Sequence, residues 1–256
     1  MGKIISFGIQ KGGVGKTTTT AITSFLLSQD SKVLAVDFDS QGNLTNFLTQ
    51  QNIYDFTEKT VLQALKDKDP RPYIHEITDN LHILTAEDFL STLPSYLYRE
   101  YKGKTAFLLK ETLEVIKDKY DYILIDLPPN LGDHTVNGLT ASDYAVVILQ
   151  SEPFCYDALD RYLEFLTGVQ ANTNPDLQLS GILCSMLDGR ASLDASILER
   201  AKGEYEEIVF DSIIRRRSKI KEYTIEGLKI NTKKDRDTLQ QYIAFVKELK
   251  ERVEER

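Results

Sequence analysis

The sequence predicts an α/β fold, a mostly parallel twisted sheet with helices on both faces. Three observations lead there. Short, continuously apolar runs recur along the chain, among them KIISFGI (3–9), VLAVDF (33–38) and YILIDL (122–127). Segments with apolar residues at helical spacing lie between them. A glycine-rich loop or an acidic residue follows the apolar part of each of these runs. Continuous rather than alternating apolar strands belong to sheets covered on both sides. Strands alternating with helices favour parallel order, and such sheets bind ligands beyond the carboxyl ends of their strands.

The elements follow in order. KIISFGI feeds the glycine loop, and Thr17 to Gln29 carries Ala21, Ile22, Phe25 and Leu26 at helical spacing. KVLAVDFD (32–39) reads as a buried strand with acids at its end, and LHILTA (81–86) as another. YDYILIDLPP (120–129) places Asp126 at a third such end. DYAVVILQ (143–150), LQLSGILCSML (177–187) and EIVFDSII (207–214) complete the strands. Helical patterns cover about 104–118, 155–170, 192–205 and 235–253. No repeat, low-complexity stretch or Pro/Gly-rich linker divides the chain, so residues 1–256 are expected to form one domain. The segment 50–110 is the least legible, and partner docking is its expected use.

With 31 basic and 39 acidic residues, the net charge is −8. The molecule as a whole repels nucleic acid and anionic membranes, so any polyanion must bind a local patch. Two cysteines, Cys155 and Cys184, and three scattered histidines, His75, His82 and His134, make neither a disulfide framework nor a metal cluster. A reducing, cytoplasmic setting is expected. No apolar run approaches the roughly 20 residues that span a bilayer, and no signal-peptide pattern is seen. MGKIIS fits a loose myristoylation pattern, but a buried strand from Lys3 would sequester Gly2.

QKGGVGKTT (10–18) carries the chemistry. The common phosphate-loop spacing, G-x-x-x-x-G-K-[ST], would put Gly at position 10, where this chain has Gln10 followed by Lys11. The fold is therefore expected to be of the P-loop NTPase type. Gly12, Gly13 and Gly15 let backbone N–H groups approach phosphate oxygens. Together with Val14, Lys16, Thr17 and Thr18 they form the expected nucleotide-binding set. Lys16 reaches the β- and γ-phosphates, and Thr17, Asp37 and Asp126 are the expected Mg²⁺ residues. Asp37 and Asp39 lie two apart on one side of a strand. Asp39 is read as positioning water for γ-phosphate hydrolysis, with Asp37 supporting it near the metal; alternatively the pair only caps its loop and holds Mg²⁺. Lys11 cannot easily fold back onto the oxygens that Lys16 serves. It either crosses a two-fold interface to a second subunit's nucleotide or is a solvated loop lysine.

These residues resemble a known family. KGGVGKTT (11–18) is similar to the deviant phosphate loop of the ParA/MinD family, whose first lysine is the signature residue. VLAVDFDSQGN (33–43) resembles the family's second motif, and YILIDLPPNLG (122–132) its magnesium-aspartate strand and second switch. Asn137, Ala141-Ser142-Asp143, Gln150-Ser151-Glu152, GILCSMLDGR (181–190) and VFDSII (209–214) continue the match. DSQGN and the length look like ParA partition ATPases rather than MinD. The resemblance implies an ATP-dependent homodimer in which Lys11 contacts the partner's phosphates. It implies slow ATP hydrolysis with Mg²⁺, stimulated by a ParB-type centromere-binding protein. It also implies non-specific DNA binding in the ATP state, association with the nucleoid, and movement of plasmids or chromosomes. Two departures stand out: Ile214-Arg215-Arg216 replaces an I-P-R pattern near the adenine, and EYTIEG (222–227) lacks the following proline. The DNA-reading extension of larger plasmid ParA proteins is missing from this sequence, so operator-specific self-repression is not expected.

Between Arg215 and Arg236 there are nine basic and three acidic residues, or +6 within a chain of −8. Phosphate contacts from such a segment give non-specific, salt-sensitive affinity. Arg190, Arg215, Arg216, Arg217, Lys219 and Lys221 are the expected DNA residues, Arg190 and Lys219 through the resemblance; the alternative is a solvated basic helix face. A MinD-like membrane cycle would need a basic amphipathic C-terminus. Here Leu239, Tyr242, Ile243, Val246, Leu249 and Val253 make a stripe expected to dock on the core, and ERVEER carries more acid than base. No membrane partner is expected. An iron–sulphur reductase of the superfamily would need cysteines flanking a dimer axis, and Cys155 and Cys184 do not fit that pattern. Positioning of another cargo by the same cycle stays open.

Overall fold

The computed structural model describes residues 2–150, 155–187 and 192–254. One eight-stranded sheet runs in the order β3-β4-β2-β5-β1-β6-β7-β8. Its strands are β1 (Lys3–Gly8), β2 (Val33–Asp37), β3 (Ile74–Thr78), β4 (Leu81–Leu84), β5 (Tyr122–Asp126), β6 (Tyr144–Gln150), β7 (Gln178–Leu187) and β8 (Val209–Arg215). Every neighbouring pair is parallel except β3–β4. The helices are α1 (Lys16–Leu27), α2 (Asn43–Thr49), α3 (Val61–Asp67), α4 (Leu93–Arg99), α5 (Leu108–Glu114), α6 (Asp133–Ala141), α7 (Cys155–Asn172), α8 (Ser192–Tyr205), α9 (Ser218–Glu226) and α10 (Lys233–Glu254).

Alternate residues of each strand point to opposite faces, and both faces are covered. Ile5, Phe7, Val33 and Ala35 pack in one cluster with Ala21 and Ile22 of α1 and Leu239 and Tyr242 of α10. Ile4, Leu34 and Val36 pack in a second cluster with α3, α5 and α6. This double burial makes the strands continuously apolar in sequence. The edge strand β3 (IHEIT) is only half-buried and antiparallel, so it lacks that signature.

The expected strands are all present, most of them shorter at one or both ends. The helical pattern over 104–118 resolves into a 3-10 turn at Thr105–Phe107 and α5. The short helices α2, α3, α4, α6 and α9 were not read from the sequence; each has seven to nine residues, too few turns for a periodic signal. The C-terminal stripe docks on the core through Leu239, Tyr242, Val246, Leu249 and Val253. Ile243 does not join it; that residue is exposed, and Phe245 is buried instead. Gly2 is buried, and a Cβ there would lie 2.3 Å from the Tyr120 carbonyl oxygen. Among the described residues, no helix is long and apolar enough to cross a membrane.

At the carboxyl end of β1 the backbone of Gly8 lies against Tyr162 of α7; a Cβ on Gly8 would fall 1.8 Å from the phenol oxygen. Tyr162 is fully buried, and its hydroxyl has no hydrogen-bond partner among the described residues. Gly8→Ala is therefore expected to destabilise the fold by about 1–3 kcal/mol through overpacking. Tyr162→Phe should cost nothing or stabilise slightly, because the lost hydroxyl is desolvated and unpaired. Urea denaturation of the two variants checks both; a neutral Gly8→Ala would refute the close packing.

Candidate functional site

The site is built where three adjacent central strands, β2, β5 and β1, end together. The chain leaves β1 at Gly8 and enters α1 at Lys16, so the loop between them must turn sharply. Gly13 (φ 75°) and Gly15 (φ 91°) adopt left-handed backbone conformations that suit glycine. Gly15 caps α1, whose first N–H groups and dipole face the loop. A Cβ on Gly12 would meet nothing within 4 Å, so its own packing does not demand glycine there. Lys16 folds back over the loop, its Nζ donating to the Lys11 carbonyl at 2.8 Å. Burial lowers the Lys16 pKa, and Asp126 and Asp39 partly oppose that shift.

Asp37 and Asp126 stand side by side in register at the ends of β2 and β5, and both are buried. Thr17 donates its hydroxyl to Asp126 Oδ2 at 2.6 Å. The Thr20 hydroxyl, one turn on, lies 3.3 Å from Asp126 Oδ1 and 3.0 Å from the Lys16 carbonyl. Burial, then the neighbouring Asp37, raises the Asp126 pKa. Asp37 accepts from the Thr45 amide and hydroxyl, both at 2.8 Å, and from the Asp39 amide at 3.3 Å. Those bonds favour its charged form, yet burial outweighs them and pushes its pKa up to about 7. Asp37 is thus engaged in holding the β2–α2 loop. Asp39 is half-buried, lines the cavity, and caps its own turn by accepting from the Gln41 amide at 3.1 Å.

Two buried carboxylates beside an anion cradle repel each other and any phosphate unless a cation lies between. Among the described residues no group of three or more His, Cys, Asp or Glu is arranged to hold a metal. Thr17 and Asp126 offer one hydroxyl and one carboxylate, both oxygen donors. That set suits Mg²⁺, which takes few protein ligands and fills its sphere with water and phosphate oxygens.

A cavity of about 460 Å³ opens over the loop and is also lined by Asp39, Gln41, Asn43, Asn46, Phe47, Pro129 and Thr224. It adjoins a second cavity of about 290 Å³ that shares Gly13, Thr18 and Thr224. Arg215, Arg216, Arg217 and Lys221 line this second cavity. These four, expected on a DNA-binding face, are exposed but lie next to the phosphate loop. Arg217 is tethered by its guanidinium to the Asp237 carbonyl at 2.7 Å. Lys219 is drawn back: its ammonium lies 2.6 Å from Glu222 and 3.5 Å from Glu226. Arg190 lies outside the described residues. Lys11 is half-buried on the loop rim. Sequence reasoning missed Thr20, Thr45 and Thr224. The i, i+3 spacing from Thr17 could have flagged Thr20; nothing local marks the other two.

The AAA-domain family model matches residues 2–179. The sporulation initiation inhibitor protein Soj of Bacillus subtilis is 36% identical over 235 residues, covering 89% of each chain. The chromosome partitioning protein ParA of Myxococcus xanthus is 34% identical over 227 residues, covering 87% of this chain and 78% of that protein. Among solved structures, cobyrinic acid a,c-diamide synthase from Mycobacterium smegmatis, with bound ADP and magnesium, superposes with a TM-score of 0.84. It is 29% identical and covers 100% of this chain and 97% of its own.

Two substitutions probe the buried carboxylates without nucleotide. Thr45→Val removes a hydroxyl from Asp37 and should destabilise by about 1–3 kcal/mol in urea. Asp126→Asn removes a buried ionisable group whose folded pKa is raised and should raise the nucleotide-free Tm at neutral pH by a few degrees, at about 2–4 °C per kcal/mol. The sign with pH follows from the raised pKa values. A carboxyl whose folded pKa lies above its unfolded value stabilises at low pH and loses that contribution as pH rises. For Asp37 the loss runs from 3.8 to about 7. Asp126 shifts the same way, so the Tm gap between Asp126→Asn and wild type should widen with rising pH. Calorimetry across a pH series checks this; a constant gap would contradict the upward shift.

Proposed function

Since the chain belongs to the ParA/Soj family of P-loop ATPases, we propose that it is a partition ATPase, dimerising on ATP and Mg²⁺ and binding non-specific DNA in that state. A ParB-type centromere-binding protein stimulates its slow hydrolysis, and the cycle moves chromosomal or plasmid DNA. The ATP state is associated with the nucleoid in the cytoplasm. One observation carries the reading: the Thr17–Asp126 pair stands beside a glycine cradle closed by Lys16.

The residues divide the work as follows. The loop amides from Gly12 to Thr18 bind the phosphates, and Lys16 turns from the Lys11 carbonyl to the β- and γ-oxygens. Thr17 and Asp126 hold Mg²⁺, which neutralises charge on the phosphate oxygens. Asp37 fixes the loop that carries Asp39, and Asp39 orients the attacking water. The base enters the second cavity, where arginine planes can stack on it. Lys11 reaches the nucleotide of the second subunit and stabilises charge there in trans. The open space at Gly12 supports such an approach.

Arg215, Arg216, Arg217 and Lys221 then stand between base and solvent, so nucleotide and DNA both act on one loop. Arg190 and Lys219 join the DNA face in this reading. The closing of Lys219 onto Glu222 and Glu226 assigns it the lesser share.

Lys11→Ala is expected to bind ATP but lose ATP-dependent dimerisation, with hydrolysis reduced at least about 100-fold, as for loss of a trans-acting cation. Light scattering and phosphate release measure the two; wild-type values for both would rule out the trans role. Wild-type protein should bind a long DNA of arbitrary sequence with ATP and not ADP, with the logarithm of the affinity falling linearly in log salt. Arg216→Glu should weaken that binding at least about tenfold. Its ATP affinity, measured alongside, separates a DNA defect from a nucleotide defect.

A further inference from the structure

Positive charge gathers a second time where α4 passes into α5. SYLYREYKGKTAFLLK (95–110) holds Arg99, Lys102, Lys104 and Lys110, and its one acid is Glu100. The fold adds Lys66 and Lys68 from the C-terminal end of α3. Their ammonium groups stand over the rings of Tyr96 and Tyr101, 5.8 and 4.8 Å from the ring centroids. All six cations are exposed.

Aromatic packing presets the loop that carries them. Tyr101 donates its amide to the Tyr96 carbonyl at 3.0 Å and its hydroxyl to Glu111 at 3.0 Å. The backbone of Gly103 lies on the same ring; a Cβ there would fall 2.2 Å from the Tyr101 hydroxyl oxygen. Lys102 and Lys104 therefore flank a turn fixed by a close approach that needs glycine.

Most acids nearby are already engaged. Glu111 takes Lys68 at 3.1 Å, Asp69 takes Arg71 at 2.7 Å, and Asp67 accepts from the Tyr73 hydroxyl. Among the described residues, Lys66, Arg99, Lys102, Lys104 and Lys110 make no ion pair. Five cations against the two unengaged acids, Glu100 and Glu114, leave +3 on this face. Lys219, by contrast, is closed onto its own acids.

The sheet separates this face from the basic loop at 215–221. α3, α4 and α5 pack on the second cluster through Leu62, Leu97 and Leu109. The basic loop runs into α9, whose Ile220 and Tyr223 pack with Leu239 of α10 in the first cluster. The molecule thus carries a cationic face on each side of its sheet. None of the six residues lines either cavity of the nucleotide site.

We propose that the α3–α5 face is a second phosphate-binding surface, through which the DNA-bound protein holds another duplex. Exposed ammonium and guanidinium groups neutralise backbone phosphates without reading bases, and each contact displaces counterions. A dimer presents two copies, so weak contacts on one duplex add. A bilayer fits less well: Tyr96, Tyr101 and Phe107 are half-buried with lysines over their rings, not free to insert. The hold on the first duplex rests on the DNA reading of 215–221; the second face stands on its own residues.

The test uses the full chain with Mg²⁺ and a slowly hydrolysed ATP analogue. Protein is loaded on a bead-bound duplex of arbitrary sequence, unbound protein is washed away, and capture of a second, fluorescein-labelled duplex is read. Wild type should capture it. Lys102→Glu/Lys104→Glu should capture at least about tenfold less, while its affinity for a single short duplex changes less than about twofold. Lys102→Arg/Lys104→Arg should capture as wild type does, because phosphate contacts need the charge. Full capture by the Glu variant would overturn the proposal, as would loaded wild type that captures nothing. Loss of first-duplex binding in the Glu variant would merge the two faces into one and also overturn it. So would loss of co-sedimentation with phosphatidylglycerol vesicles in a Glu variant whose duplex capture is intact, which would assign the face to lipid. Wild type that fails to load on the beads would overturn both readings. Unchanged loading of Arg216→Glu would defeat only the reading of 215–221.

Discussion

Burial of the Asp126 carboxylate beside that of Asp37 is the constraint around which the rest is arranged. Each lies at the end of a central strand, shut off from water, with threonine hydroxyls and backbone amides as its hydrogen-bond donors. Such a pair raises both pKa values and opposes the nucleotide-free fold. The neighbouring polar groups answer it. Thr17 and Thr20 turn to Asp126, Thr45 gives two donors to Asp37, and Lys16 keeps its charge within reach of Asp126 and Asp39. A site that carries this strain without its cation gains most when a cation and a triphosphate arrive together.

The sheet makes that arrangement possible. Parallel strands end on one side, so β1, β2 and β5 bring loop, acids and helix dipole to one place. The supporting residues come from farther along the chain. Thr45 belongs to α2, Pro129 to the loop after β5, and Thr224 to α9. Segments distant in sequence thereby meet around the cavity over the glycine loop.

The distribution of charge follows the same logic. In a chain of −8, Arg215, Arg216, Arg217 and Lys221 line the space next to Thr18. The opposite character appears on the strip of Tyr54, Phe89 and Tyr98, which is flanked by acids.

Much of this was legible before any coordinates. Continuous apolar runs identified the buried strands, because a strand covered on both faces has no polar side to show. The glycine loop with Lys16-Thr17, and Asp126 after YILI, stood out in sequence, and the fold brings Thr17 within a hydrogen bond of Asp126 beside that loop. Local signals could not supply the rest. β3 is a half-exposed edge, and α2, α4 and α9 are too short to show a period. Asp37 and Asp39 looked alike in sequence, and only the bonds of Asp37 to Thr45 show that it also braces a loop. The basic run 215–221 read as a surface, while the fold turns four of its members toward a cavity and closes Lys219 onto Glu222. The sequence by itself determined which chemistry is present, because that chemistry depends on residue types at short spacing. Only the tertiary structure decided what each charge faces, because those neighbours lie many residues away and meet through the packing of helices on the sheet.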